Sequence, residues 1–150
     1  MRSLASTERY SRIIGLDVGQ ARIGVALSDP LGVTAQPLLV LEREADADDL
    51  DRLRGLIENH EAEMVVVGMP VSLSGMEGPA HQCMTEFVQT LTEALPVPVV
   101  TWDERLSTAE ARRRMQAAGE DERSQRGVVD KLAASIILQG YLDAHRNANG

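Results

Sequence analysis

The chain has 150 residues and a formal net charge of −8, and 43% of its residues are hydrophobic but only 3% aromatic. That length fits one domain able to bury a core, and an aliphatic-rich, aromatic-poor composition suits an α/β protein with Val/Ile strands and Ala/Leu helices. The negative balance argues against a broad electrostatic grip on nucleic acid. No apolar run reaches the roughly 18 residues of a membrane span, and the lone Cys83 rules out an internal disulfide, so a reducing cytoplasm is the expected compartment.

Positions 1–11 are polar, lack the apolar core of a signal peptide, and are expected to form a flexible leader. Arg12 to Asp17 is a predicted strand, and Arg22 to Asp29 a second, joined by a tight glycine-containing turn. After the turn Asp29-Pro30-Leu31-Gly32 comes a third, from Pro37 to Leu41, which completes a meander. The pattern then changes to helical spacing over Asp46 to His60, with Leu50, Leu53, Leu56 and Ile57 apolar. Asp46, Asp48 and Asp49 stand where carboxylates favour a helix N-terminus. Glu63 to Gly68 is a nearly continuous apolar run, the mark of a strand buried on both faces.

A Ser/Gly-rich loop from Pro70 to Gly78 leads into a helix opened by Pro79 and continuing to Ala94. Pro96 to Trp102 is the last predicted strand. Ser107-Thr108-Ala109-Glu110 is a capping box for a further helix that Gly119 closes. Glu120 to Gly127 reads as a polar connection, Asp130 to His145 as the last helix, and 146–150 as a flexible tail. The order βββαβαβαα implies a single α/β domain over 12–145. Its mixed five-stranded sheet would have three antiparallel strands, then parallel strands added by right-handed crossovers, with helices on the flanks.

Chemistry is expected where loops diverge from strand ends. Asp17 ends the first strand, Gly68 the fourth, Asp103 and Glu104 follow the fifth, and Asp130 opens the last helix. An acid at a sheet rim is costly unless a cation meets it. Each acid alone has an ordinary explanation: a turn cap, a pair with Arg105, or a helix N-terminus. Together, carboxylates without histidine or cysteine suit a hard divalent ion, Mg2+ or Mn2+, and two such ions about 3.5–4 Å apart can drive phosphodiester hydrolysis. Side chains alternate along a strand, so only one of Asp103 and Glu104 is expected to enter the site. Cationic residues gather late in the chain, from Arg105 through Arg112, Arg113, Arg114, Arg123 and Arg126 to Lys131. They form either a solvated helix face or a local basic surface. Acids crowd Glu42 to Glu63.

Four segments resemble the YqgF/RuvX family in family order: Gly15-Leu16-Asp17-Val18-Gly19 through Ser28-Asp29, Val66-Val67-Gly68-Met69-Pro70 with Gly75 and Gly78-Pro79, Asp103-Glu104-Arg105-Leu106-Ser107-Thr108, and Val129-Asp130-Lys131-Leu132-Ala133-Ala134. The resemblance implies an RNase H-like fold and a metal-dependent nuclease, linked to 5′-end maturation of pre-16S rRNA and to Holliday junction resolution. It implies Asp17, Glu104 and Asp130 as metal-binding catalytic acids, with Asp103 as substitute for Glu104. Arg22, Arg105, Lys131, Gly19 and Gly68 would contact nucleic acid. Two departures stand out: Gln20-Ala21 where the family often has Thr-Lys, and Ser107 in place of a common threonine.

Strand-Asp-x-Gly also opens actin-like and sugar-kinase ATPases, but those need a second lobe for which 150 residues leave no room. A non-catalytic nucleic-acid-binding module of the same fold is the alternative; it would keep the arginines and have no need of the acids. Cutting a symmetric four-way junction with one centre per chain would require a homodimer.

Overall fold

A computed structural model describes the backbone over residues 12–69, 79–103 and 126–149, and side chains over 12–69, 82–103 and 132–145. The elements are β1 (Arg12–Val18), β2 (Arg22–Ser28), β3 (Ala35–Glu42), α1 (Asp46–His60), β4 (Ala62–Met69), α2 (Pro79–Ala94), β5 (Val99–Asp103) and α3 (Arg126–Asn149). They build one five-stranded sheet in the order β3-β2-β1-β4-β5. β2 is antiparallel to β1 and β3, while β4 lies parallel to β1 and β5 parallel to β4. The helix expected to begin at the Ser107 capping box lies outside the described residues.

Strand alternation sorts the sheet into two apolar faces. Ile14, Leu16, Ile23, Val25, Val65 and Val67 pack with Leu50, Leu53, Phe87 and Leu91 of α1 and α2. Ala26 and Val66 pack on the other face with Ala134, Ile137, Leu138 and Leu142 of α3. Both faces are therefore covered, which is why β4 reads as a continuous apolar run.

The observed bounds depart from expectation in three places, each with a physical reason. β3 starts at Ala35, with Pro37 inside it; β3 is an edge strand, where a residue lacking an N–H is tolerated, and the register shifts between Val25 and Ala26 opposite it. β5 starts only at Val99, because Pro96 and Pro98 cannot donate to a ladder; the Pro98 carbonyl instead accepts from Val65 N at 2.9 Å. α3 starts at Arg126, inside the segment expected to be an irregular connection, and runs on to Asn149.

α3 crosses the sheet very closely. A β-carbon built on Gly15 would lie 2.7 Å from Leu138 Cβ and 3.2 Å from the Ala134 carbonyl oxygen. The helix direction follows from its far end. Gln139 Oε1 accepts from Ala35 N at 2.9 Å, and Gln139 Nε2 donates to the Val33 carbonyl at 2.9 Å. Ala35 pairs with Ser28, whose Oγ accepts from Ile13 N at 2.8 Å. α3 thus runs antiparallel to β1, its C-terminal half beside the start of that strand and its N-terminus toward Asp17. Among the described residues no helix is long and apolar enough to cross a membrane.

Candidate functional site

β1, β4 and β5 are parallel, so their C-terminal ends share one edge of the sheet, and Asp17, Gly68 and Asp103 all lie along it. Asp17 falls two residues after Gly15 and therefore on the α3 face. Its cross-strand partner in β2 is Gly24. On its other side stands Gly68, the residue after Val67, which pairs with Leu16. The half-buried carboxylate is thus flanked by glycines on both neighbouring strands. The sequence reading assigned Gly68 a place at the site but gave none to Gly24. A glycine inside a strand marks close approach of a ligand or another backbone, and that was the available signal.

The helix places its own acid at the same height. Asp130 precedes Ala134 by four residues, about 6 Å along a helix axis, and Asp17 follows Gly15 by two, about 6.6–6.8 Å along a strand. Ala134 lies over Gly15, so the backbone at Asp130 reaches the level of Asp17. The side chains of Asp130 and Lys131 lie outside the described residues. So do Glu104 and Arg105, along with Arg112, Arg113, Arg114 and Arg123.

Packing on β5 fixes the face on which Asp103 lies. Trp102 belongs to the α3-side cluster and meets Tyr141 edge-on with ring centroids 5.7 Å apart. Asp103, next along the same strand, is therefore on the opposite face from Asp17.

Arg22 shares the parity of Gly24 and Ala26 on β2 and so falls on the α3 face. Gly19 sits in the β1–β2 turn, where its N–H donates to the Arg22 carbonyl at 2.8 Å; a β-carbon there would lie 3.1 Å from that oxygen. Among the described residues, no three His, Cys, Asp or Glu side chains are grouped so as to hold a metal ion. Two of the three acids implied by the resemblance lie outside that set.

Asp29, of the Ser28-Asp29 pair in the opening motif, acts as a turn anchor. Its carboxylate accepts from Leu31, Val33 and Thr34 backbone N–H groups. Burial opposes its ionisation, but these donors outweigh it and hold its pKa below the usual carboxylate value. A cavity of about 990 Å³ opens on the other side of the sheet, lined by Val18, Gly19, Gln20, Arg43, Cys83 and Phe87 among others, and it does not include Asp17. Cys83 is exposed there.

The sequence profile of the RuvX family, described as Holliday junction resolvase, matches residues 11–144. The chain belongs to the RuvX family. Among relatives in this family, a Halothermothrix orenii protein named "Putative pre-16S rRNA nuclease" is 47% identical over 93% of this chain and 99% of its own length. One of the same name from Thermoanaerobacter pseudethanolicus is 44% identical over 91% of this chain and 99% of its own. Solved structures are more distant and speak to the fold. Thermus thermophilus RuvC superposes with a TM-score of 0.58 at 14% identity, covering 91% of this chain and 96% of its own. The fowlpox virus resolvase bound to Holliday junction DNA gives 0.54 at 12% identity, covering 89% and 98%. The fold of this RuvX-family chain is RNase H-like, as the resemblance implied.

Proposed function

We propose that the chain is a divalent-metal-dependent nuclease that hydrolyses phosphodiester bonds in the cytoplasm, in 5′-end maturation of pre-16S rRNA, in Holliday junction resolution, or in both. The observation that carries this reading is the position of Asp17. It is an acid at the C-terminal end of a central strand, with Gly24 and Gly68 beside it on the neighbouring strands, beneath the N-terminal part of α3. A binding module would have no need of a carboxylate that repels phosphate at the sheet edge where the parallel strands end. RuvX relatives named as pre-16S rRNA nucleases and the family's description as Holliday junction resolvase support both substrates.

The donor set fits Mg2+ or Mn2+. Carboxylate oxygens without sulfur or imidazole are hard ligands. Asp17, Glu104 and Asp130 would hold the metal, with Glu104 favoured over Asp103 by the parity that Trp102 sets on β5. Bound in a pair, such ions supply an activated water and neutralise charge on the leaving oxygen. The chain's own part is positioning. The strand end fixes Asp17, the β1–β2 turn presents Gly19 to the phosphate backbone, and Arg22 on the same face offers a guanidinium to a phosphate oxygen. Arg105 and Lys131 are assigned the same supporting role, Gly68 the open approach. A four-way junction is two-fold symmetric, so two copies would act on it together, one on each strand.

The test is cleavage of a labelled pre-rRNA fragment and of a four-way DNA junction, in chelator and after adding back Mg2+ or Mn2+. Cleavage of one or both substrates only with metal is expected. Absence of cleavage with either metal on both substrates would refute the reading.

A further inference from the structure

We propose that Arg43 is a positioning residue for substrate binding, one that fixes the β1–β2 turn from the opposite side of the sheet. This inference rests on the nuclease reading, since it takes that turn to be the surface that meets nucleic acid. Arg43 directly follows β3, and 24 residues separate it from Gly19. Its guanidinium makes three polar contacts in three directions. Nη1 donates to the Gly19 carbonyl at 2.9 Å, Nε to Asp49 Oδ2 at 2.9 Å, and Nη2 to Asp46 Oδ1 at 3.2 Å. Its Cζ lies over the Phe87 ring, 4.5 Å from the centroid, and the Arg43 backbone N–H donates to the Ala21 carbonyl at 2.8 Å.

The anchor of this arrangement is itself fixed. Asp49 is fully buried, and it also accepts from Glu44 N at 3.0 Å and from Arg52 Nη2. Arg52 Nη2 reaches the Glu42 carbonyl at 2.7 Å as well. One guanidinium therefore ties the turn between β1 and β2 to the end of β3, the first turn of α1 and the side of α2. Two carbonyls of the three-residue connection, those of Gly19 and Ala21, are held by a single residue. That holds the turn's outer surface toward the substrate in one conformation. A buried ion pair could serve stability alone, but stability would not require a guanidinium arm spent on the Gly19 carbonyl.

Lysine separates the two roles. It keeps the charge and most of the stem but has no planar fork, so it cannot serve the Gly19 carbonyl and Asp49 together. The experiment compares wild type, Arg43→Lys and the control Arg54→Lys, whose exposed partner is Asp51. It reads amide exchange by NMR at Gly19, affinity for the pre-rRNA fragment and the junction by fluorescence anisotropy, and cleavage kinetics. For Arg43→Lys, exchange at Gly19 should quicken about tenfold, as loss of a charge-assisted hydrogen bond permits local opening. Kd and KM for nucleic acid should rise about tenfold through misplacement of the turn, while kcat and the half-saturating Mg2+ concentration stay within about twofold. Arg54→Lys should change nothing.

Unchanged exchange at Gly19, or faster exchange with unaltered Kd, would overturn the proposal. A fall in kcat with unaltered KM would overturn it too. If wild type binds but cleaves neither substrate, the nuclease reading fails by itself, and the exchange and Kd measurements still decide the role of Arg43. Should Arg43→Lys fail to fold, Phe87→Leu, which removes only the ring beneath the guanidinium, must move exchange and Kd in the same direction by a smaller factor; no movement would overturn the proposal.

Discussion

Gly15→Ala is the substitution that most directly couples packing to chemistry. The added methyl would sit 2.7 Å from Leu138 Cβ and 3.2 Å from the Ala134 carbonyl oxygen. Ordinary carbon–carbon contact begins near 3.4 Å, so α3 must retreat by about 0.7 Å or more, and neither obstacle is a flexible side-chain end. Overpacking of this kind costs about 1–3 kcal/mol, which for a chain of this size lowers Tm by about 2–12 °C. Because the retreat occurs one helical turn from Asp130, it widens the gap between Asp130 and Asp17. A displacement approaching 1 Å at reacting groups can cost about 10²-fold, so cleavage should fall about 10–100-fold and need more Mg2+. Nucleic-acid affinity should be nearly unaltered. The assay is single-turnover cleavage across a Mg2+ titration, with thermal denaturation in parallel. Gly55→Ala is the matched control: its β-carbon meets nothing within 4 Å, and inside α1 alanine should add about 0.5–1 kcal/mol of stability without touching cleavage. A Gly15→Ala protein with wild-type cleavage at every Mg2+ concentration would refute the reasoning.

Parity on β5 makes Glu104→Gln far more damaging than Asp103→Asn: cleavage should drop about 100-fold or more for the first and stay within about threefold for the second, and the reverse order in a kinetic comparison would put the metal ligand on the wrong residue. Asp49 gives a pH dependence. Burial disfavours its charge, but Glu44 N–H, Arg43 and Arg52 outweigh burial and lower its pKa in the folded protein. A depressed carboxylate pKa contributes stability that is complete above the unfolded-state value and is lost as pH falls through the folded one, so Tm should decline below about pH 4. Asp49→Asn should destabilise by about 3–5 kcal/mol at pH 7, since it leaves two guanidinium groups without their buried partner. It should also flatten part of the acid decline in a series of thermal melts.

Much of the architecture was legible in the residues because the strands are short and strongly patterned. The run at β4 announced a doubly covered central strand, and α1 and α2 carried clear helical spacing and N-terminal signals. The ends were harder. Glu120 to Gly127 read as a polar connection, yet α3 begins at Arg126, because packing against the sheet can offset the roughly 1 kcal/mol that a helical glycine costs. At the site, Asp17 and Gly68 could be placed from strand ends alone. The choice between Asp103 and Glu104 could not, because alternation fixes only that they oppose each other. It takes Trp102 against Tyr141 to say which face is which. Asp49 looked like one of several solvated acids, and nothing local marks it as the buried one. Arg43 was invisible for the same reason: its partners Gly19 and Phe87 are distant in sequence, and only the folded chain brings them to one guanidinium.

The central claim is that Asp17 anchors a divalent ion for phosphodiester cleavage. It is tested most directly by titrating Mn2+ into wild type and Asp17→Asn while measuring both cleavage and binding of the pre-rRNA fragment and the four-way junction. The expected result is a cleavage rate lower by about 10²-fold or more in Asp17→Asn at any Mn2+ concentration, with binding of nucleic acid preserved. Equal cleavage by the two proteins, with the same metal dependence, would contradict the account.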